Sequence, residues 1–352
     1  MINRRHGGNI TGKGIIDFSV NINPLGMPLA LKEAVSKSLD KLSCYPEPES
    51  LSLKKALASI HNINEANLLI GNGSIEIIHL LPRALKIKKA LIITPTFSEY
   101  EFAVRLSNAK PVFVKASEGN GFRIDTKLIR GLIPQANLVI LCNPNNPTGV
   151  LAARETLMEI LAPCIKYGKI LLIDEVFLDF VDNAKEFSLL DQAVRSRHLL
   201  VLKSLTKFFA VPGLRIGYLI GHRSLILKLS KFQYPWNVNS LAQGIAKEII
   251  NCNGYRQKTK VLTLRERNFL SGNLKKFKTL KVYEPYANFI FCKLLKGRIK
   301  SARELNERLM QRGITMRACD NFRGLNGNFF RLAVRTRKEN IKLLLALREI
   351  LK

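Results

Sequence analysis

Short runs of apolar residues alternate with amphipathic stretches through the middle of the chain. Residues 90–93, 138–142, 170–173, 199–202 and 216–220 are almost wholly apolar and read as buried strands. Residues 75–85, 155–167 and 189–194 carry helical spacing between them. Fully apolar strands separated by helices predict an α/β fold with a mostly parallel sheet covered on both faces. The last third has a different rhythm. A long, mostly helical stretch covers 239–277, followed by strand-like 287–292, helix-like 302–312, strand-like 329–334 and a helix from 338. That mixture predicts a second, smaller α/β domain. No repeat and no Gly/Ser-rich linker intervenes, so the boundary is expected in a helix.

Composition narrows the class. The chain has 352 residues, 47% hydrophobic and 24% charged, which excludes a disordered chain. Its 22 glycines lack a three-residue period, which excludes a collagen-like one. No apolar run reaches the ~18 residues of a membrane span, and no apolar stretch follows the basic start, so no secretory signal is expected. Six scattered cysteines form no CxxC pair, which predicts neither a metal site nor a disulfide framework and fits a reducing cytoplasm. The formal charge is +29, from 56 basic and 27 acidic residues. It is densest in 255–352, with 25 basic and 7 acidic residues, yet no block of five or six like charges and no nucleic-acid-binding motif occurs. The charge therefore reads first as a lysine-rich bias on a solvated surface, and more weakly as a field that draws in anionic substrates. Nucleic-acid binding is the lesser reading.

Candidate chemistry lies at the ends of the apolar runs, where open α/β sheets bind ligands. Residues 138–142 lead into Asn143-Pro144-Asn145-Asn146-Pro147-Thr148-Gly149, a rigid turn that holds amides outward. Residues 170–173 end in Asp174-Glu175, and a carboxylate there needs a cation or donor. Residues 199–202 lead into Lys203-Ser204-Leu205-Thr206-Lys207, with Gly213-Leu214-Arg215-Ile216-Gly217-Tyr218 close behind, a set suited to an anion site beside an amine nucleophile. Gly71-Asn72-Gly73-Ser74 precedes a helix, where backbone N–H groups can cradle a phosphate. Alone, each is also what a turn, a cap or a solvated helix start requires.

In this order the motifs resemble the fold type I pyridoxal 5'-phosphate (PLP) enzymes, close to the histidinol-phosphate aminotransferases. His6-Gly7-Gly8-Asn9, the run Asp17 to Gly26, Pro95-Thr96-Phe97-Ser98-Glu99-Tyr100 and Asn321-Phe322-Arg323-Gly324 resemble the threonine-phosphate decarboxylase branch of cobalamin biosynthesis. The resemblance covers essentially the whole chain. It implies a large PLP-binding domain at 41–245 with a mostly parallel seven-stranded sheet. It also implies a small domain at 246–352 and an N-terminal segment, 1–40, packed with the small domain.

By resemblance, Lys207 is the amine that joins PLP and later moves protons at the substrate Cα. Asp174 keeps the ring nitrogen protonated, since a neighbouring carboxylate raises a pyridinium pKa. Asn146 bonds the ring oxygen and Phe97 stacks on the ring. Ser74, Ile75, Ser204, Thr206 and Arg215 hold the cofactor phosphate, joined by Tyr45 from a neighbouring subunit, which implies a homodimer with shared sites. Phe177 stands where many related aminotransferases have a tyrosine, and this favours the decarboxylase branch. The substrate is expected to be an anionic phosphorylated amino acid. Arg331 is its carboxylate fork, and Arg317, Arg323, Arg335 and Arg337 are candidates for its phosphate. Period-two spacing would place Arg331, Arg335 and Arg337 on one strand face. His6 and Asn23 are expected to line the same pocket. The expected reaction is loss of CO₂ from L-threonine O-3-phosphate. The alternatives are histidinol-phosphate amine transfer, phosphoserine decarboxylation and a basic nucleic-acid-binding protein on the same scaffold.

Overall fold

A computed structural model describes residues 6–8 and 14–352; Asn9 of the N-terminal motif lies outside them. Its centre is a seven-stranded sheet. The spatial order is Leu68–Asn72, Ile216–Gly221, Leu199–Ser204, Ile170–Asp174, Leu138–Cys142, Lys89–Thr94 and Lys110–Lys115. Ile216–Gly221 runs antiparallel to both neighbours, and every other pairing is parallel. The five apolar runs read from the sequence are the five inner strands. The two edges, Leu68–Asn72 and Lys110–Lys115, were not anticipated. Lys110–Lys115 is a short edge strand with an exposed lysine at each end and half-buried residues over Pro111 to Phe113, and its apolar run was passed over.

Apolar side chains leave both faces of this sheet. One face packs against the helices Leu51–His61 and Arg154–Lys166, through Leu53, Leu57, Leu157 and Leu161. The other packs against Gly73–Ala84 and Glu99–Leu106, through Ile77, Leu81, Tyr100 and Val104. Burial on both faces is why the inner strands carry no alternation.

The C-terminal unit is a four-stranded antiparallel sheet in the order Arg317–Ala318, Phe329–Ala333, Phe289–Leu294 and Leu280–Val282. Helices Asn253–Leu274, Ala302–Met310 and Arg337–Ile350 share its apolar core. The last helix opens on a capping box between Thr336 and Glu339. The expected, mostly helical stretch over 239–277 is three helices, Ser240–Gly244, Ala246–Ile250 and Asn253–Leu274, separated at Ile245 and at 251–252. Ala246–Ile250 packs on Leu51–His61 of the large unit, so the chain passes to the small unit along Asn253–Leu274. The N-terminal segment divides. Ile16–Asp17 pairs with Ile314–Thr315 of the small unit, whereas helix Leu29–Lys37 packs on Ser240–Gly244.

Candidate active site

The topology gathers the polar strand ends. Asn72, Thr94, Cys142, Asp174 and Ser204 end strands that run in one direction, and the antiparallel Ile216–Gly221 begins at the same edge just after Arg215. A cavity of about 450 Å³ opens there. Its walls include Ser74, Ile75, Phe97, Asn146, Asp174, Thr206, Lys207 and Arg215 from the large unit, Arg317 and Arg331 from the small one, and His6 and Asn21 from the N-terminal segment.

Asp174 closes the floor. It is 4% exposed, accepts the Tyr100 hydroxyl at 2.6 Å on Oδ2 and takes the Val176 N–H at 3.0 Å on Oδ1. Burial raises its pKa to about 6, against the pull of the two donors and of the Lys203 charge. Lys207 stands in the wall. Burial, followed by the charges of Arg331 and Arg215, lowers its pKa to about 8. That makes it a far better nucleophile near neutrality than a surface lysine.

Ser74 and Ile75, at the start of helix Gly73–Ala84, line the cavity, and the N–H groups of a first helical turn have no partner within the helix. Close approach depends on two glycines. A Cβ on Gly217 would stand 2.2 Å from the Ser74 nitrogen, and one on Gly73, at φ +76°, would stand 2.3 Å from Arg215. Thr206 reaches the cavity. Ser204 lies beneath it, with its hydroxyl 2.8 Å from that of Thr206 and donating to the Ile216 carbonyl.

Arg331 is 6% exposed and enters between the two units. Its guanidinium donates to the Asn146 side-chain oxygen and, at 2.8 Å, to the Ser19 carbonyl, while Nε has no partner. Burial lowers its pKa to about 10. No carboxylate pairs with it among the described residues. Arg317 is in register with Arg331 on the adjacent strand, bonded to the Asn321 side chain and over the Phe322 ring. His6 faces the same space, 3.0 Å from Glu99.

Several expected residues lie elsewhere. Asn23 is buried behind the wall: its amide donates to the Phe208 carbonyl and to the Tyr255 and Thr259 hydroxyls, and its backbone N–H to the Lys207 carbonyl. Asn21, two residues earlier, lines the cavity instead, with Oδ1 buried and unpaired. The sequence reading passed over it: two-residue spacing would put Asn21 and Asn23 on one face of an extended chain, so no pattern tells them apart. Arg335 and Arg337 do not continue the face of Arg331, because the strand ends at Ala333. Arg335 bonds Glu339 and the Asp17 carbonyl, and Arg337 bonds Glu266 over the Phe269 ring. Arg323 forms a two-point bond with Glu101 in a neighbouring groove. Tyr45 is 83% exposed, against Trp236, and does not line its own chain's cavity.

The cavity fits PLP. It offers an amine of lowered pKa, a buried carboxylate at the floor, an aromatic wall at Phe97 and an anion cradle at a helix start, and its lining carries more cationic than anionic groups.

The family model described as aminotransferase class I and II matches residues 13–347. A protein of Caldanaerobacter subterraneus subsp. tengcongensis, provisionally named threonine-phosphate decarboxylase, is 39% identical, covering 97% of this chain and 93% of its own. The Salmonella typhimurium protein named threonine-phosphate decarboxylase is 34% identical, covering 100% and 98%. The solved structure of the histidinol-phosphate aminotransferase from Clostridium acetobutylicum superposes with a TM-score of 0.89 at 32% identity, covering 96% and 99%.

Proposed function

The chain belongs to the aminotransferase class I and II family, and on that premise we propose that it is a PLP-dependent carboxy-lyase. Its substrate is L-threonine O-3-phosphate, converted to (R)-1-amino-2-propanol phosphate for cobalamin biosynthesis. The observation that carries this reading is a second anion site beyond the phosphate cradle. Arg331 is buried with no carboxylate partner among the described residues, and Arg317, in register beside it, and His6 line the same cavity. A substrate with a carboxylate at one end and a phosphate at the other satisfies both. The names of the relatives support the same reading.

Bound PLP supplies an electron sink for the pair left at Cα when a bond there breaks. Lys207 holds the cofactor and moves the proton at Cα. Asp174 keeps the ring nitrogen protonated, Asn146 bonds the ring oxygen, and Phe97 packs on the ring. Ser74, Ile75, Thr206 and Arg215 hold the phosphate, and Ser204 orients Thr206. Arg331 forks the substrate carboxylate, and Arg317, His6 and Asn21 face its phosphate end.

The active unit in this reading is a homodimer in which Tyr45 of one protomer completes the cradle of the other. Leu39, Leu42, Tyr45 and Trp236 form an exposed apolar band suited to burial against a second copy. Six unpaired thiols support a cytoplasmic setting.

The test is incubation of PLP-loaded protein with phosphothreonine, phosphoserine or histidinol phosphate, with CO₂ trapping and product masses. Release of CO₂ from phosphothreonine is expected. Amine transfer to 2-oxoglutarate without CO₂ would overturn the reaction and leave the family intact.

A further inference from the structure

Tyr100 is absent from the set of residues to which the motifs assigned chemistry, yet it makes the shortest side-chain contact to the buried carboxylate. Its hydroxyl donates to Asp174 Oδ2 at 2.6 Å. The ring is 1% exposed and packed among Ile92, Val104 and other apolar residues of the sheet face. It sits edge-on to Phe97, with centroids 5.7 Å apart and planes at 86°. Phe97 in turn contacts the His6 ring. Burial and the adjacent carboxylate push the Tyr100 phenol well above its ordinary pKa, so it stays neutral and acts as a donor. The other Asp174 oxygen is held by the Val176 N–H, and Lys203 and Cys142 are the remaining titratable groups close enough to act on it.

We propose that Tyr100 is a positioning residue for the cofactor: its hydroxyl fixes the Asp174 carboxylate in its ionised form and aims the remaining acceptor capacity at the ring nitrogen. The inference rests on the PLP reading of the cavity. Two fixed donors on a carboxylate leave little rotational freedom about χ2. A short hydrogen bond to an ionised acceptor is also the kind that costs most when removed. Without the hydroxyl, a carboxyl buried this deeply would favour its protonated form, which cannot pair with a ring cation.

The experiment is Tyr100→Phe in the apo-protein, read by PLP binding in equilibrium dialysis and by the ¹⁵N resonance of ring-labelled PLP. Wild-type protein is expected to bind PLP with a protonated ring nitrogen. If it does not, the cofactor reading itself fails. Tyr100→Phe is expected to weaken PLP binding about tenfold or more and to move the ¹⁵N resonance toward the free base. In an Asp174→Asn background the same change is expected to do neither. Wild-type affinity and resonance in Tyr100→Phe would overturn the proposal, as would an equal loss in both backgrounds. If Tyr100→Phe does not fold, 3-fluorotyrosine at position 100 keeps the shape and strengthens the donor. It should shift the ¹⁵N resonance at unchanged melting temperature, and an unmoved resonance would count against the proposal.

Discussion

At the scale of single residues, the cavity separates groups by what their surroundings leave them free to do. Lys207 is half-neutral near pH 8, whereas an ordinary lysine is neutral at that pH only about one time in several hundred. Reductive methylation of the apo-protein at pH 8 should therefore label Lys207 first, by roughly two orders of magnitude over surface lysines if access is equal. Peptide mapping that finds it labelled no faster than Lys296 would remove the nucleophile from the scheme. Arg331 offers a sharper contrast. Arg331→Lys keeps the charge but loses the planar fork, and is expected to lower kcat/KM about a hundredfold through KM. Arg337→Gln should leave kcat/KM within about twofold, because Arg337 is spent on Glu266, and should lower the melting temperature instead. Asp174 stood out because it ends an apolar run, whereas the roles expected of Lys207 and Arg331 came from the family resemblance, since Lys207 lies in a polar stretch beyond its run and Arg331 inside one. The difference between Asn21 and Asn23 was not legible. It depends on a tertiary contact: Asn23 meets Thr259, on a helix more than two hundred residues away.

At the scale of elements, the phosphate cradle is a matter of backbone clearance. Gly217 lies in the strand Ile216–Gly221, paired with Gly71 on one side and Ser204 on the other. A methyl group there would push against the Ser74 nitrogen and displace the first turn of Gly73–Ala84. Gly217→Ala is thus expected to weaken PLP binding at least tenfold by dialysis while the far-ultraviolet circular dichroism stays unchanged. Equal affinity would mean that the helix start does not hold the phosphate. The strand order that brings these elements together could not be read along the chain, because the antiparallel insertion of Ile216–Gly221 between Leu68–Asn72 and Leu199–Ser204 is a long-range choice. The inner strands were readable for a simple reason: burial on both faces leaves an unbroken apolar run. The break-up of 239–277 into three helices went unread. Its middle segment, Ala246–Ile250, turns to pack on Leu51–His61, a tertiary contact that helix propensity does not encode.

At the scale of the whole molecule, the cavity exists only while the small unit stays seated, because Arg331 and Arg317 come from it and Lys207 does not. One charged contact across that junction is Glu118, on the large unit beside the strand Lys110–Lys115. It accepts Lys293 at 2.8 Å, Tyr283 at 2.8 Å and Lys281 at 3.1 Å, all three from the small sheet. Phe122 continues the junction into Tyr283, Phe291 and Phe329. The lysines and the tyrosine hydroxyl lower the Glu118 pKa from 4.5 to about 2. A carboxylate whose folded pKa is depressed contributes its full stabilisation above the unfolded value, and that contribution disappears as pH falls through the folded one. The seating supplied by Glu118 is therefore complete above pH 4.5 and fades toward pH 2. Glu118→Gln, which keeps the shape and removes the charge, is expected to melt lower than wild type at pH 7. The two melting curves should converge as the pH approaches 2. Because the contact is partly solvated, 0.5 M salt should narrow the gap at pH 7 as well. Residual Arg331 function gives the second readout: a loosened junction raises KM for a carboxylate-bearing substrate more than it changes PLP affinity, since the cofactor's holders lie in the large unit. A gap in melting temperature that stays constant from pH 7 to pH 2 would show that the Glu118 charge is not what seats the small domain.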